Sequence, residues 1–268
     1  MNSVSHKQFC LSQDDLWEIR NKIYHSQGDG FFLFKGFVEH KFTEHLVNYW
    51  SRSLDPPQTH TLFPGKENAF YPGCPCYYKH GRSTGLKIFY NPLWSNRHEV
   101  VSNEIATSII HLRSQIEGKA FTREIVPHIG QRCVIPRLII TRNGQNILAP
   151  HTDYGLDEPD PKNIDLARVQ ATLFLSQIDL DYAGSGFVFT KNDGTKIHCE
   201  RELGIVPGDL LIWRYNNQHE IDDISCSDDQ VGFVRMLFPP EVITRKGGNS
   251  SVMESVKYFL RKVKRKFF

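Results

Sequence analysis

Apolar residues recur at helical spacing in three stretches of the first half of the chain. From Gln13 to about His25, Leu16, Ile19 and Ile23 fall on one side, with Ser12 and Asp14 placed as caps, which predicts a helix. Gly28-Asp29-Gly30 then punctuates the chain, Phe31-Phe32-Leu33-Phe34 reads as a short buried strand, and Phe42 to Trp50 returns to helical spacing. A third stretch, Asn103 to Ile116, sets Ile105, Ile109, Leu112 and Ile116 on one face and predicts a helix backing a sheet. Between Ser53 and Trp94, prolines, glycines and aromatics cluster, as in Pro56-Pro57, Phe63-Pro64-Gly65 and Tyr71-Pro72-Gly73. That texture predicts an irregular lid or surface excursion.

From Pro136 onward the pattern changes to short β-branched and aromatic runs separated by turn signals. These are Leu138-Ile139-Ile140-Thr141, Ala171 to Leu175, Gly186-Phe187-Val188-Phe189, Leu210-Leu211-Ile212-Trp213 and Val231 to Phe238. Short strands so spaced predict a mainly β fold with flanking helices, a sandwich or barrel. After Pro239-Pro240, Lys246-Gly247-Gly248-Asn249-Ser250 reads as a linker into a basic tail. The expected organisation is one domain over residues 1–250, with a helical and irregular part (1–135), a β core (136–240) and a tail (251–268).

Composition narrows the function classes. With 268 residues, 40% hydrophobic, the chain can build one sizeable core. A formal net charge of +2 and a pI near 8.2 argue against nucleic-acid binding through bulk charge. The opening residues lack the apolar core of a signal peptide, and no stretch approaches the roughly 18 apolar residues of a spanning helix. A cytoplasmic protein is expected. Its cysteines (Cys10, Cys74, Cys76, Cys133, Cys199, Cys226) are then expected reduced. Cys74-Pro75-Cys76 has no second pair downstream, so plain thiols account for it better than zinc.

The candidate chemistry lies in the β half. His151 and Asp153 are two apart, so in an extended chain they project from one face and can reach a single cation. His219, which follows a strand-like run after the turn at Pro207-Gly208-Asp209, is the candidate third ligand. Two histidines and one carboxylate occupy one face of an octahedral iron(II) and leave the other positions for co-substrate and O2. A His-x-Asp pair alone usually serves a surface hydrogen bond, so its context matters. Arg235 lies in the apolar run Val231 to Phe238, where a charge costs several kcal/mol unless paired. Its plain reading is a salt bridge to an internal acid. A dicarboxylate co-substrate satisfies the same guanidinium through two parallel hydrogen bonds.

The string Arg137-Leu138-Ile139-Ile140-Thr141-Arg142-Asn143-Gly144, followed by Pro150-His151-Thr152-Asp153, resembles the strand, turn and metal-binding strand of the iron(II)/2-oxoglutarate dioxygenases. Gln170 to Leu175, Ala183-Gly184-Ser185-Gly186-Phe187-Val188-Phe189, Val206 to Trp213 leading to His219, and the Arg235 run continue the similarity in order, from Pro136 to Pro240. The resemblance implies a double-stranded β-helix (jelly roll, cupin-like) core with iron(II) at one open end and the N-terminal helices outside the larger sheet. It implies His151, Asp153 and His219 as metal ligands and catalytic residues, with Arg235 on the far carboxylate of 2-oxoglutarate. Succinate and CO2 would be released as O2 is used to oxidise a C–H bond of a small organic substrate. Related halogenases have a small residue at the position of Asp153, so hydroxylation is the expected outcome.

There are departures. The family often has a tyrosine after the position of Arg142, where this chain has Asn143, so the second anchor of 2-oxoglutarate is open among Thr172, Arg137 and Gln170, each with a structural role as the plainer reading. Arginine in place of lysine after the distal histidine separates the chain from collagen-type prolyl hydroxylases and leaves the phytanoyl-hydroxylase-like and small-molecule branches. Two other classes compete. A zinc-dependent hydrolase on a cupin-like fold could use the same three ligands but gives Arg235 no task. A non-catalytic cupin-like binding module would use the histidines for hydrogen bonds alone.

The expected substrate is an amino acid, a sugar or a related metabolite, with Lys79, His80, Arg82 and Lys87 as polar candidates near it. The tail interleaves Lys257, Arg261, Lys262, Lys264, Arg265 and Lys266 with Val256, Phe259, Leu260, Val263 and Phe267. Such a basic amphipathic segment suits peripheral contact with an anionic membrane or an acidic partner, against the plainer reading of a solvated terminal helix.

Overall fold

The structure, a computed structural model, describes residues 11–52, 77–80, 86–90, 100–120, 132–134, 136–145, 147–153, 166–239 and 242–243. Before the β core come α1 (Gln13–Tyr24), β1 (Phe31–Phe34), α2 (His40–Arg52), β2 (Tyr77–His80), β3 (Leu86–Tyr90), α3 (Val100–Glu117) and β4 (Arg132–Cys133). The core runs through β5 (Arg137–Thr141), β6 (Leu148–His151), β7 (Val169–Phe174), β8 (Ala183–Gly184), β9 (Phe187–Thr190), β10 (Lys196–His198), α4 (Cys199–Glu202), β11 (Leu210–Arg214), β12 (His219–Ile221), β13 (Ile224–Ser225), β14 (Phe233–Phe238) and β15 (Val242–Ile243).

Two antiparallel sheets face each other. The larger has the order β1-β11-β7-β14-β5-β3-β2 and the smaller β10-β9-β12-β6. Side chains alternate across each strand, and this alternation sorts the core into two clusters. From the larger sheet, Leu138, Ile140, Ala171, Leu173, Ile212, Val234 and Met236 point outward and pack with Leu16, Ile19 and Ile23 of α1 and Ile105, Ile109 and Leu112 of α3. Phe174, Leu211, Trp213 and Phe233 point inward and meet Phe187, Phe189, Ile197 and Ile221 of the smaller sheet. The predicted helices therefore back the larger sheet, as amphipathic helices must to bury their apolar stripe. Helix α1 starts with a capping box in which Ser12 and Asp15 exchange hydrogen bonds, so Asp14 sits in the first turn and not at the cap.

The larger sheet extends into the segment before residue 136, through the expected strand at Phe31–Phe34 and through two strands, β2 and β3, that the sequence did not suggest. Strand β1 joins one edge, pairing Phe31 with Trp213 and Phe34 with Leu210. On the other side β3 pairs with β5 from Leu86↔Thr141 to Tyr90↔Arg137, and β2 pairs with β3. Part of the segment from Ser53 to Trp94 is thus ordered strand. Without it, β5 would present a row of unpaired backbone groups. Arg82, Cys74-Pro75-Cys76, the linker and the basic tail lie outside the described residues, and the side chains of Lys79, His80 and Lys87 are likewise not described. Among the described residues, Cys199 and Cys226 are free thiols, and no helix is long and apolar enough to cross a membrane.

The Pro207-Gly208-Asp209 turn fixes where β11 begins. Gly208 adopts φ +98°, and a Cβ there would lie 2.2 Å from the Val38 carbonyl oxygen. The buried carboxylate of Asp209 accepts hydrogen bonds from the backbone N–H groups of Gly36 (2.8 Å) and Val206 (3.0 Å) and from Lys35 Nζ (3.0 Å). This clamp sets the register of β11, and β11 in turn delivers the chain to His219. Asp209→Ala leaves two N–H groups without an acceptor and should destabilise the fold by about 2–3 kcal/mol, measured by denaturant unfolding with unchanged slope.

Candidate metal and co-substrate site

His151 ends β6 and His219 opens β12, and the two strands pair His151 directly with His219. Asp153 follows two residues after His151. One donor atom from each of the three residues lies within 4.8 Å of the others. His219 Nε2 is 3.4 Å and His151 Nε2 3.7 Å from the Asp153 carboxylate. The Nδ1 atoms face backbone carbonyls instead, Ala149 O at 2.9 Å and Asn217 O at 3.2 Å. A ring nitrogen facing a carbonyl must carry the proton, so each Nε2 turns a lone pair toward the carboxylate. Three lone-pair donors with no proton among them repel, and a cation or an extra proton must sit between them. Two imidazole nitrogens and one carboxylate oxygen are the donor set of non-haem iron(II) sites, so the residues present fit that ion.

Electrostatics follow from this crowding. Burial opposes ionisation of Asp153, yet when a proton takes the cation's place on His219 Nε2, the hydrogen bond it makes and that from Gln170 outweigh burial and hold the carboxyl well below the usual carboxylate range. Burial lowers the pKa of His151, and neighbouring His219 lowers it further against the pull of Asp153. Gln170, a sequence-derived candidate for co-substrate contact, instead donates its amide to Asp153 Oδ2. That bond orients the carboxylate and leaves Gln170 Oε1 buried without a partner.

Arg235 lies deeper on the same inner face. It pairs with Phe174 of β7 and Ile139 of β5, while Leu237 pairs with Thr172 and Arg137. Along β7 the inward residues therefore run from Gln170 beside Asp153, through Thr172, to Phe174 beside Arg235. Arg235 is 5% exposed, and its guanidinium lies 5.1 Å from the Phe233 ring centroid and 5.9 Å from that of Phe187. Among the described residues it makes no ion pair, and Nε has no hydrogen-bond partner. The salt bridge expected as its plain reading does not form. Burial pushes its pKa down to about 10 against the pull of Glu200, Tyr182 and Asp153, so it stays charged at neutral pH.

Other polar atoms of this face are buried and unmatched as well. Among the described residues, Thr172 Oγ1, Thr141 Oγ1 and the Trp213 indole Nε1 find no partner. Buried polar groups without partners cost about 1–3 kcal/mol each, so such a cluster marks where a ligand's polar groups belong. Thr172 stands on β7 between Gln170 and Phe174, midway between Asp153 and Arg235. Arg137 projects from β5 on the same face, two residue pairs from Thr141. Asn143, at the position where the resembled family has tyrosine, accepts a hydrogen bond from Cys226 N and is part of a turn.

Glu200, Tyr182, Thr141 and Trp213 escaped the sequence reading. Thr141 could have been found from the alternation that places it on the face of Arg137. Trp213 was read only as strand core. Glu200 and Tyr182 carried no signal, because their neighbours are far away in the chain.

No family model matches the sequence, and no curated protein matches it. Solved structures do match in fold. The epimerase SnoN from nogalamycin biosynthesis, in complex with Fe3+, alpha ketoglutarate and nogalamycin RO, superposes with a TM-score of 0.54 at 11% identity, covering 88% of both chains. A dioxygenase for auxin oxidation from rice gives 0.52 at 12% identity, covering 88% of this chain and 81% of its own. A prolyl-4-hydroxylase from Pseudomonas putida gives 0.50 at 15% identity, covering 87% of this chain and 100% of its own.

An arginine buried without an ion partner destabilises its surroundings. Arg235→Met in the ligand-free protein should therefore raise stability by about 1–4 kcal/mol, read as a melting temperature higher by roughly 2–4 °C per kcal/mol. The fold this chain shares with these solved proteins is a double-stranded β-helix.

Proposed function

We propose that the chain is an iron(II)- and 2-oxoglutarate-dependent oxygenase that hydroxylates a C–H bond of a small organic substrate. The reading rests on one combination: three lone-pair donors converge at the open end of the fold, and a charged, unpaired guanidinium lies further in along the same inner face. A zinc hydrolase or a plain binding module accounts for the donors and leaves Arg235 without a partner. Alpha ketoglutarate and iron are what the SnoN structure holds, and a keto diacid matches both ends of this site at once.

His151, Asp153 and His219 would hold the metal, with Gln170 steadying the carboxylate. When bound, iron(II) would activate O2, the oxidant, with 2-oxoglutarate giving up two electrons as it loses CO2, so that one oxygen atom would go to the substrate C–H bond and the other to succinate. The protein's part is placement. Arg235 takes the far carboxylate through its free edge, and Thr172 Oγ1 lies between Arg235 and the metal ligands. Apolar walls from Phe187, Leu211 and Trp213 exclude water, which strengthens each of these contacts. Gln170 Oε1 and the Trp213 N–H, beside the metal ligands, are free to meet a polar group of the substrate. Asp153 fills the position that halogenases leave open, which supports hydroxylation as the outcome.

Anaerobic addition of iron(II) and 2-oxoglutarate should produce a weak visible charge-transfer band, and Asp153→Ala should abolish both the band and substrate-dependent succinate formation. Turnover that persists under strict anaerobiosis, or near-normal succinate formation by Asp153→Ala, would contradict the assignment. Arg235→Met should keep iron binding while raising KM for 2-oxoglutarate by about 100-fold or more, the loss of a buried, charge-assisted pair.

A further inference from the structure

One buried carboxylate in this region has no part in the proposed chemistry. Glu200, on α4, is 2% exposed and accepts the Phe187 backbone N–H on both oxygens, each at 3.0 Å. Its Oε1 also accepts the hydroxyl of Tyr182 at 3.1 Å. The Tyr182 ring lies 5.1 Å from that of Phe233. Phe187 and Phe233 are the two rings beside the Arg235 guanidinium. Gly186 leaves room for this arrangement, since a Cβ there would lie 2.5 Å from Glu200 Oε1.

We propose that Glu200 is a positioning residue for co-substrate capture. It fixes both aromatic surfaces beside Arg235 while making no contact with the guanidinium itself, so that the arginine's edge stays open to the far carboxylate of a 2-oxo diacid. The inference rests on the function proposed above. A direct Glu200–Arg235 ion pair would close the arginine to ligand, and removal of the side chain would release the Phe187 N–H and the Tyr182 hydroxyl, and with them both rings. Standing off behind the rings avoids both.

A consequence is pH dependence. The titratable and charged groups facing Glu200 are Tyr182, Arg235 from β14, and Cys199 and Arg201 from its own helix. Burial pushes Glu200 up to about 7 against the pull of the Phe187 N–H, Tyr182 and Arg235. Burial also raises Tyr182 and Cys199, and the Asp179 carboxylate raises Arg201. A second carboxylate on Arg235 competes with ionised Glu200, so binding favours the protonated acid. Affinity for 2-oxoglutarate should fall as pH rises through about 7.

The test is calorimetric titration of 2-oxoglutarate into the full chain loaded with Mn(II), together with steady-state kinetics on the iron form. Glu200→Ala should raise Kd and KM for 2-oxoglutarate about tenfold while kcat at saturation changes by less than about twofold. Glu200→Gln, which keeps an acceptor for Tyr182 and Phe187, should bind within about threefold of wild type below neutrality and lose the extra pH dependence. A folded Glu200→Ala protein with wild-type Kd overturns the proposal, as does Glu200→Gln binding as weakly as Glu200→Ala. If Glu200→Ala does not fold, Tyr182→Phe frees the Phe233 side alone, and an unchanged Kd there overturns it equally. Wild-type protein that does not bind 2-oxoglutarate refutes the proposed function itself, whereas tight wild-type binding with unaffected variants refutes only the role of Glu200.

Discussion

A cation sealed inside a β-sandwich is the constraint around which this interior is organised. Arg235 lies beside two phenyl rings with no ion partner among the described residues, in surroundings where an unmatched charge costs several kcal/mol. The fold accommodates it with aromatic faces, which attract cations, and with a buried acid at a remove. Thr172 and Thr141 add unmatched hydroxyls on the same face. An interior selected for stability alone would fill these positions with aliphatic side chains.

The two faces of the larger sheet divide the labour. On the central strands the outer face is apolar but for Arg214 at the end of β11, and the helices α1 and α3 lie against it. The inner face alternates large aromatics with polar groups, and its strands bring Gln170, Thr172 and Arg235 into a line leading away from the metal ligands. The outer layer supplies cohesion, and this permits the inner layer to retain groups that cost stability. The Asp209 clamp joins the two roles, because it pins the loop between β1 and α2 to the strand that leads into His219.

Much of this was legible in the chain. Helical spacing found α1, α2 and α3, and the short β-branched runs found the core strands to within a few residues. His151 and Asp153 stood out because an extended chain throws residues two apart onto one side, and Arg235 because a charge in an apolar strand demands a reason. Their convergence with His219 could be inferred only through resemblance, since 68 positions separate His151 from His219 in the sequence (219 minus 151). Strands β2 and β3 were missed, hidden in a segment whose prolines and glycines suggested irregularity. Their stability comes from pairing with β5, a long-range effect that local spacing does not record. Glu200 and Tyr182 were missed for the same reason. They matter through what they touch, and Phe187 and Phe233 lie in other strands.

Strand β6 carries His151 at the margin of the smaller sheet, where β12 is its one neighbour. Its residues before His151 are exposed, and Pro150 offers no N–H to an intruding chain, which blunts a margin otherwise open to aggregation. Because the facing residue on β12 is His219, an ion held as proposed by both imidazoles would also rivet this outermost ribbon to the body of the sandwich. Loss of such an ion would then be a mechanical event as well as a chemical one, loosening the rim of the smaller sheet.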